Sequence, residues 1–433
     1  MRGSPIAALV TLLLVANLPL LPAQAPSDPV AAFLDAELDD LLAFYRELHR
    51  HPELSFREVE TAKRVAAALE AAGLDVTRRV GGLGVVGVLK NGEGPCLMLR
   101  ADLDALPLGE RTGLDYASEV RTESADGRVA GAMHACGHDV HMTNLVGTAA
   151  FLAGHRELWG GTLICIGQPA EERAGGAKAM LADGLFERFP RPDYAIALHV
   201  TPDLPAGSVG LRAGPAMANV ESVDVLLRGR GGHGAAPHTT VDPVVLAAKL
   251  VLDLQTIPSR ELNPTAPAVV TVGSIHGGSK HNIIDGECRL QITIRSYTPE
   301  VHEHIKQAIV RKARAVAASA DAPEPEVTFS EFTPALVNDP ELTTRVAEAF
   351  RATLGADRVH TVDPVMTAED FGRFGGAGVP ILMFRLGSIA AERLAALESP
   401  LSLHSPFYYP DPEPTVRTGI RATAAAALAV FGG

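Results

Sequence analysis

The chain has 433 residues, of which 47% are hydrophobic and 21% are charged, and it is long enough for two or three globular domains. Acidic residues outnumber basic residues by 51 to 38, which gives a net charge of −13. Because nucleic-acid binding requires a basic surface, this charge argues against a nucleic-acid partner.

The N terminus has the layout of a secretory signal peptide. Arg2 precedes an apolar run at 6–21, and small residues follow at Ala23 and Ala25, either of which fits a cleavage site. The alternative is a retained membrane anchor, but the run is shorter than the roughly 20 residues that a spanning helix needs. We therefore predict export to the periplasm or the medium, without stable membrane insertion after cleavage.

Helical and strand-like patterns alternate over the first half of the mature chain. Ser55 and Glu58 have the spacing of a capping box that opens a helix. Asn91-Gly92 has the composition of a hairpin turn between two strands. The alternation favours an α/β fold with an open mixed sheet flanked by helices. The pattern predicts helices at 29–50, 55–72, 142–157 and 178–187, and strands at 84–90, 95–100, 161–167 and 194–198.

Polar side chains of metal-binding type follow three of these predicted buried strands. Asp102, the pair Glu171-Glu172, and His199 each come directly after a strand. In open α/β sheets, ligands bind outside the carboxyl ends of the strands. We therefore expect these side chains to converge on one site, although each taken singly also fits a structural role.

The stretch from Gly131 to His141 contains one thiol and three imidazoles within eleven residues. Cys136 and His138 are two residues apart, so both side chains can face one ligand in an extended or turning backbone. Thiolate and imidazole are the ligands that Zn²⁺ and its late first-row neighbours prefer. A Cys-x-His pair alone is weak evidence, and the metal-site prediction rests on the other candidate ligands as well, including His404.

The pattern changes after about Gly214. A strand at 220–227 is followed by a helix that Asp242 caps and that runs to 257. Strands at 268–275 and 287–297 come next, and the second alternates cleanly between apolar and polar residues. A helix from 299 to about 318 and a strand at 326–330 follow. The order is β-α-β-β-α-β, a ferredoxin-like α+β arrangement. The remaining chain returns to the earlier pattern, with helices at 340–354 and from 416 and a strand at 379–384. We predict a signal peptide at 1–25, a catalytic domain at 26–213 and 333–433, and an inserted domain at 214–332.

Four cysteines in an exported chain allow two disulfides. If Cys136 is a metal ligand, at least one of the other three is unpaired within the chain. Cys96 and Cys165 each lie in an apolar strand-like run. We therefore expect these two to be buried and unreactive.

Six motifs occur in order along the chain: Arg50–Ser55, Met98–Pro107, Met133–Asp139, Gln168–Glu172, Gly231–His238 and Ala368–Phe371. Together they resemble the metal-dependent amidohydrolases, a family that includes aminoacylase, carboxypeptidase G, hippurate hydrolase and the auxin-conjugate hydrolases. The resemblance covers nearly the whole mature chain and is closest to the hippurate and auxin-conjugate branch. Aminoacylase-like members have His-x-Asp where this chain has Arg100-Ala101-Asp102. Arg100 therefore cannot be a ligand.

The resemblance implies two divalent ions, Zn or Mn in preference to Co or Ni. Glu171 would be the general base, and Asp102 would orient a ligand histidine. Glu369 is a further candidate acid, whereas we expect His134 and His141 to be structural. The implied metal ligands are Cys136, His138, Glu172, His199 and His404.

The inserted domain resembles the family's dimerisation or lid domain, which implies a homodimer. In it, His233 would stabilise the tetrahedral oxyanion, and Asn282 and Arg295 would hold the substrate's backbone or carboxylate. The family usually has proline after Asn-x-Ile, where this chain has Asp285. The shape of the loop around Asn282 depends on this difference, and so does the role assigned to Asn282.

The expected activity is hydrolysis of the amide bond in an N-acyl or N-aroyl amino acid, which releases a carboxylic acid and a free amino acid. One alternative is a dipeptidase or carboxypeptidase on the same scaffold. A different class of function is a catalytically silent protein that binds amino acids or metal, and the presence of Glu171 weighs against it.

Overall fold

A computed structural model describes residues 1, 28–123, 127–397 and 401–432. The predicted signal peptide and its cleavage sites lie almost wholly in 2–27, outside the described residues. No helix within the described ranges is long and apolar enough to cross a membrane.

Helices and strands alternate along the described chain. The helices are α1 (Pro29–Arg50), α2 (Val59–Ala71), α3 (His138–Gly154), α4 (Gly176–Ala182), α5 (Leu185–Arg188), α6 (Pro243–Leu254), α7 (Pro299–Ala318), α8 (Pro340–Leu354), α9 (Gly372–Gly376), α10 (Ala391–Ala396) and α11 (Pro412–Phe431). The strands are β1 (Asp75–Val80), β2 (Gly84–Asn91), β3 (Cys96–Asp102), β4 (Arg121–Glu123), β5 (Val129–Gly131), β6 (Gly161–Gln168), β7 (Tyr194–Pro205), β8 (Val209–Leu211), β9 (Gly214–Met217), β10 (Val220–Arg228), β11 (Gly232–His233), β12 (Ala268–Gly277), β13 (Ile283–Ile284), β14 (Glu287–Ser296), β15 (Glu326–Thr333), β16 (Leu336–Asn338), β17 (Val359–Thr361) and β18 (Ile381–Ile389).

The larger sheet has eight strands in the order β1-β2-β6-β3-β7-β18-β8-β17. Its four central strands, β6, β3, β7 and β18, are parallel, whereas β1, β2 and β8 introduce antiparallel pairs. The predicted open mixed sheet is confirmed. Its parallel centre brings the carboxyl ends of β3 and β6 to the same edge, where the first candidate site residues lie.

Both faces of this sheet are buried, so its strands alternate between two apolar cores. In β3, Leu97 and Leu99 pack in the core formed with α1, α2, α3, α8 and α11, whereas Met98 packs in the core on the other face. A strand that is covered on both faces has an almost continuous apolar sequence. This is why β3 and β6 were recognisable as buried strands. Cys96 and Cys165 are buried and free, as expected.

Two local predictions in this region are wrong. The strands β2 and β3 form no hairpin, because β6 lies between them and pairs with both. The Asn91 side chain donates to the backbone oxygen of Arg156 at 2.7 Å, which holds the segment leading into β6 beside it. The expected capping box at Ser55 and Glu58 is also absent, and α2 begins only at Val59. The Ser55 hydroxyl instead contacts Asp104, as described below. The Glu58 carboxylate accepts from the backbone amides of Phe56 and Ala170 at 2.9 and 2.7 Å.

The second sheet has four antiparallel strands in the order β12-β14-β10-β15. With α6 and α7 packed on one face, the chain order is β-α-β-β-α-β, which confirms the ferredoxin-like prediction. Asp242 caps α6 by accepting from the amides of Val244 and Val245. The exact limits of the inserted domain, 214 and 332, remain predictions. Just outside the sheet, β9 and β16 pair with each other.

Candidate metal centre

Cys136 and His138 flank a tight turn at the start of α3. Gly137 between them has φ of 76°, in the left-handed region that favours glycine. A Cβ atom at Gly137 would also lie 2.5 Å from a methyl group of Val200. The helix begins at His138, four residues earlier than predicted. Residues 138–149 are all buried, so the start of the helix lacks the one-sided apolar pattern on which the prediction depended.

His138 is oriented by Asp104, two residues beyond the end of β3. Its Nδ1 donates to the backbone oxygen of Asp104 at 2.7 Å. Its Nε2 is buried and has no hydrogen-bond partner among the described residues. The same atom lies 3.6 Å from a carboxylate oxygen of Asp102, 4.0 Å from one of Glu171 and 3.9 Å from one of Glu172. Nε2 is therefore free to bind a cation among these carboxylates.

The thiol of Cys136 lies between the other candidate ligands. Its Sγ is 3.6 Å from Nε2 of His199 and 3.3 Å from Nε2 of His404, which is itself 3.4 Å from Glu172. His138 forms one compact group of ligand atoms with Asp102 and His141, and another with Glu171 and Glu172. Two further groups contain Cys136, namely Cys136 with His138 and His199, and Cys136 with Glu172 and His404. Within each group, all ligand atoms lie within 4.8 Å of one another. Cys136 is common to the last two.

Asp104 also holds the turn that carries the two glutamates. Its carboxylate accepts from the backbone amides of Glu171 and Glu172 at 3.1 and 3.0 Å. Ser55 donates its hydroxyl to the same carboxylate at 2.6 Å, which is the contact that replaces the expected capping box. Asp104 was not singled out from the sequence. Its position two residues after Asp102, at the carboxyl end of a buried strand, was the available signal.

Asp102 makes its hydrogen bond to a histidine with His141, which is not one of the implied ligands. Its Oδ1 accepts from Nδ1 of His141 at 2.6 Å. The other ring nitrogen of His141 accepts from the backbone amide of Val200 at 3.0 Å, and burial lowers the pKa of this histidine to about 4. Both ring nitrogens of His141 are therefore hydrogen-bonded, and its structural role stays a prediction. His134 is also buried, but neither of its ring nitrogens has a hydrogen-bond partner in the described part of the chain.

Arg100 is buried in a network of polar side chains behind the glutamates. It donates to Gln168 at 3.0 Å, to Asp102 at 2.7 Å, to Glu369 at 2.8 Å and to Asp370 at 3.2 Å. These contacts confirm that Arg100 is an ion-pair residue and not a ligand. Gln168 and Asp370, which also bond to each other at 2.7 Å, were not predicted. Glu369 contacts the guanidinium of Arg100, and it forms a group of three carboxylates with Glu171 and Asp370.

The charge balance of the centre favours bound cations. Burial, followed by repulsion from Glu369 and Glu172, raises the pKa of Glu171 well above its usual value. Burial and the neighbouring Glu172 likewise raise the pKa of Cys136. Arg100 compensates only part of this buried negative charge. Divalent ions at the two groups that share Cys136 would offset the rest, so the donor set fits the metal ions that the sequence implies.

We expect Arg100→Met to lower the free energy of unfolding of the metal-free protein by about 3–5 kcal/mol, because three buried carboxylates would lose their partner. The matched control is Arg78→Met, since Arg78 pairs at 2.9 Å with Glu70 on the surface. An exposed pair is worth only about 0–1 kcal/mol. Urea denaturation of both variants measures the difference. Equal, small effects would contradict the role of the buried network.

The metal-binding groups open into a cavity of about 830 Å³ between the two sheets. Arg295 lines it from β14, and Arg385 lines it from β18. Its walls also include five of the predicted site residues: Cys136, Glu171, Glu172, His199 and His404.

His233 and Asn282 lie elsewhere. They are exposed on two paired loops, where β11 pairs with β13, and neither is among the described residues that line the cavity. His233 accepts from the backbone amide of Ala235 at 3.0 Å. The structure therefore brings together the predicted metal ligands, Glu171 and Arg295, but leaves His233 and Asn282 outside the cavity.

A model of the family described as Peptidase family M20/M25/M40 matches residues 98–426. The chain belongs to this family. Thermostable carboxypeptidase 1 of Saccharolobus solfataricus is 36% identical over 344 residues, which cover 78% of this chain and 84% of that protein. Hippurate hydrolase of Campylobacter jejuni is 37% identical over 333 residues, covering 76% and 83%. N-acetyl-L-cysteine deacetylase of Bacillus subtilis is 36% identical over 337 residues, covering 77% of each.

Solved structures at 29% identity have the same fold. A structure from methicillin resistant Staphylococcus aureus matches with a TM-score of 0.84 at 29% identity, covering 93% of this chain and 99% of that one. A Bacillus subtilis protein described as a dinuclear metal binding peptidase from the M20 family matches with a TM-score of 0.77 at 29% identity, covering 92% and 99%. The resemblance and the fold are thus confirmed, and the chain is a hydrolase of amide bonds.

Proposed function

We propose that this M20 hydrolase is an exported, dinuclear-metal amidohydrolase that releases a carboxylic acid and an amino acid from N-acyl or N-aroyl amino acids. The observation that carries the proposal is the position of Cys136, which belongs to two groups of ligand atoms whose other members, His138 with His199 and Glu172 with His404, are all implied ligands. One residue common to two groups is the arrangement expected for a ligand shared by two ions. Relatives named for hippurate and N-acetyl-L-cysteine support the choice of substrate class.

Residues around the centre divide into ligands and a base. Cys136, His138, Glu172, His199 and His404 would hold the ions. Bound ions would polarise the substrate carbonyl and make the attacking water more acidic. Glu171 belongs to neither group that contains Cys136, and it lines the cavity from the neighbouring position. Its carboxylate takes a proton from the water and delivers it to the leaving amine nitrogen.

A substrate panel tests the proposed reaction. Free amino acid should be released from N-acetyl, N-benzoyl or indole-acetyl amino acids faster than from dipeptides. Dipeptides are the comparison substrates because one relative is named a carboxypeptidase. Faster cleavage of dipeptides would replace the proposal with the peptidase alternative. Release from neither class, by metal-loaded protein, would contradict hydrolysis of these amides altogether.

We propose that the protein is a homodimer formed through residues 214–332. The four-stranded sheet has open edges at β12 and β15. Apolar side chains are exposed beside the β12 edge, namely Val245 and Leu252 on α6 and Ile275 on β12. An open strand edge with apolar neighbours is a surface that pairs readily with a second copy.

We expect His233 to act in the active site of the partner subunit, since it is exposed and outside its own chain's cavity. Mixed dimers of Glu171→Gln and His233→Ala subunits should recover activity. One of the two sites would then combine an intact Glu171 from one chain with an intact His233 from the other. Homodimers of each variant are the controls. Verified mixed dimers as inactive as the homodimers would show that His233 acts within its own subunit or not at all.

A further inference from the structure

Arg385 lines the cavity but has no part in the chemistry described above. It lies in β18, a strand of otherwise apolar residues and glycine or serine, in register with His199 on the parallel neighbour β7. Register partners on adjacent strands are about 4.8 Å apart and project from the same face. The side chain of Arg385 therefore leaves the sheet beside a residue of the metal centre.

The guanidinium of Arg385 makes one hydrogen bond within the described part of the chain. Its Nη2 donates to the backbone oxygen of Asp363 at 3.0 Å. No described carboxylate forms an ion pair with it, although Asp203 and Asp363 attract it from a longer distance. The side chain is half-buried, and burial lowers its pKa. Arginine has five N–H donors, so most of this group remains available to a ligand in the cavity.

The guanidinium of Arg295, which projects from the four-stranded sheet, also makes one hydrogen bond to the described residues. Its Nη1 donates to the backbone oxygen of Met366 at 2.7 Å, and it too has no ion pair within the described residues. Both arginines therefore bond to one short loop, at Asp363 and Met366, and both line the cavity. Two guanidinium groups with free donors therefore lie beside one loop of the cavity, one from each sheet.

We propose that Arg385 is a specificity-determining residue that binds a second substrate carboxylate, so that the enzyme prefers N-acyl derivatives of aspartate and glutamate. This inference rests on the proposed function, together with the role that the family resemblance implies for Arg295, which we take to be binding of the substrate's α-carboxylate. Because both arginines contact the same loop, the two carboxylates they bind must be close together. Acidic amino acids meet this condition. A dicarboxylic acyl group does not, since its free carboxylate lies across the scissile amide from the α-carboxylate.

Among the acidic residues that line the cavity, Asp203 is the one whose charge acts on Arg385, and it therefore opposes this assignment. It is exposed at the rim, and its charge attracts Arg385 through space. Solvent and salt screen an exposed charge more than a half-buried one. We therefore expect Asp203→Asn to strengthen the preference for acidic substrates.

The test compares N-acetyl-L-glutamate with its neutral isostere N-acetyl-L-glutamine through the ratio of their kcat/KM values. The ratio should be at least about tenfold in favour of glutamate, as a charge-assisted hydrogen bond provides. Arg385→Gln should bring it to about one, and Arg385→Lys should give an intermediate value, since lysine keeps the charge without the planar donor pair. The matched control is Arg212→Gln, because Arg212 bonds to the neighbouring backbone oxygen of Val362 but is not among the cavity-lining residues. It should keep the wild-type ratio.

A wild-type ratio near one, or an unchanged ratio in Arg385→Gln, would overturn the proposal. A second pair of substrates, N-succinyl-L-alanine and N-succinamoyl-L-alanine, places the carboxylate or its amide on the acyl group. If the enzyme prefers the charged substrate in this pair alone, the second carboxylate is bound on the acyl side, and the proposal is overturned. Hydrolysis of N-acetyl-L-methionine in the same assay separates these results from a failure of the proposed function. If no N-acyl amino acid is hydrolysed, both proposals fail together.

Discussion

Glu171→Gln should lower kcat by about 10²–10⁴-fold while the protein retains its metal, because general acid–base assistance is typically worth that much. The amide has nearly the same shape as the carboxylate but cannot accept the proton of the attacking water. Glu171 lies 4.0 Å from His138, and it groups with His138 and Glu172 as well as with Glu369 and Asp370. It belongs to neither of the two groups that contain Cys136, so its loss should leave those two groups intact.

The neighbouring glutamate provides the matched control. Glu172→Gln changes the adjacent residue in the same way, and both side chains are 10% exposed. Glu172, however, lies 3.4 Å from His404 and shares a group with Cys136. This variant should lose metal along with activity. Elemental analysis and turnover assays of both proteins distinguish the roles, and metal loss in Glu171→Gln would show that they are exchanged.

Cys136→Ser should lose metal and activity together, since Cys136 belongs to both groups of implied ligands. Changing a residue that only supports a ligand typically costs 10–100-fold in metal affinity, so loss of a shared ligand should cost more than about 100-fold. Metal dialysis measures the affinity. Cobalt offers a second test, because the wild-type protein loaded with Co²⁺ should show a thiolate-to-metal absorption band that the serine variant lacks.

Cys165→Ala is the control for loss of a buried thiol. Cys165 is fully buried in β6, and its side chain packs in the apolar core of the large sheet. The variant should be less stable but should bind metal normally and retain the cobalt band. Full metal content in Cys136→Ser would exclude Cys136 as a ligand, whatever happens to activity.

Local sequence signals predicted the regular elements well where capping residues define them. The helices at 299–318 and 340–354 were predicted with the limits that α7 and α8 have. Thr298 and Asp339 cap them, and proline occupies the first position of each. Both helices are also apolar on one side only. Periodicity and capping therefore indicate the same limits.

The sequence predicted which residues form the site but not the hydrogen bonds and ion pairs between them. Buried strands followed by polar residues indicated Asp102, Glu171 and Glu172, because the ends of neighbouring parallel strands meet at one edge. The network around Arg100 was not predictable. It joins Arg100 to Glu369, 269 residues later in the chain, and depends on how the two segments of the catalytic domain pack. His199 was expected at the end of a strand, but β7 continues to Pro205.

The cavity wall was the least predictable part. Arg385 belongs to it because two sheets face each other, and neither sheet alone indicates which side chains face the gap. A single charged residue within a buried apolar strand was the available signal. The same reasoning applies to His233. Its loop is recognisable from sequence, whereas its position outside the cavity depends on the packing of the whole insert.

Amide hydrolysis measured while divalent metal is added to metal-free protein tests the central claim most directly. The assay follows free amino acid released from an N-acyl amino acid as Mn²⁺ or Zn²⁺ is titrated. Because Cys136 joins two groups of ligand atoms, activity should be absent without metal and should saturate at two ions per chain. Full activity in the metal-free protein, or saturation at one ion per chain, would contradict a dinuclear centre.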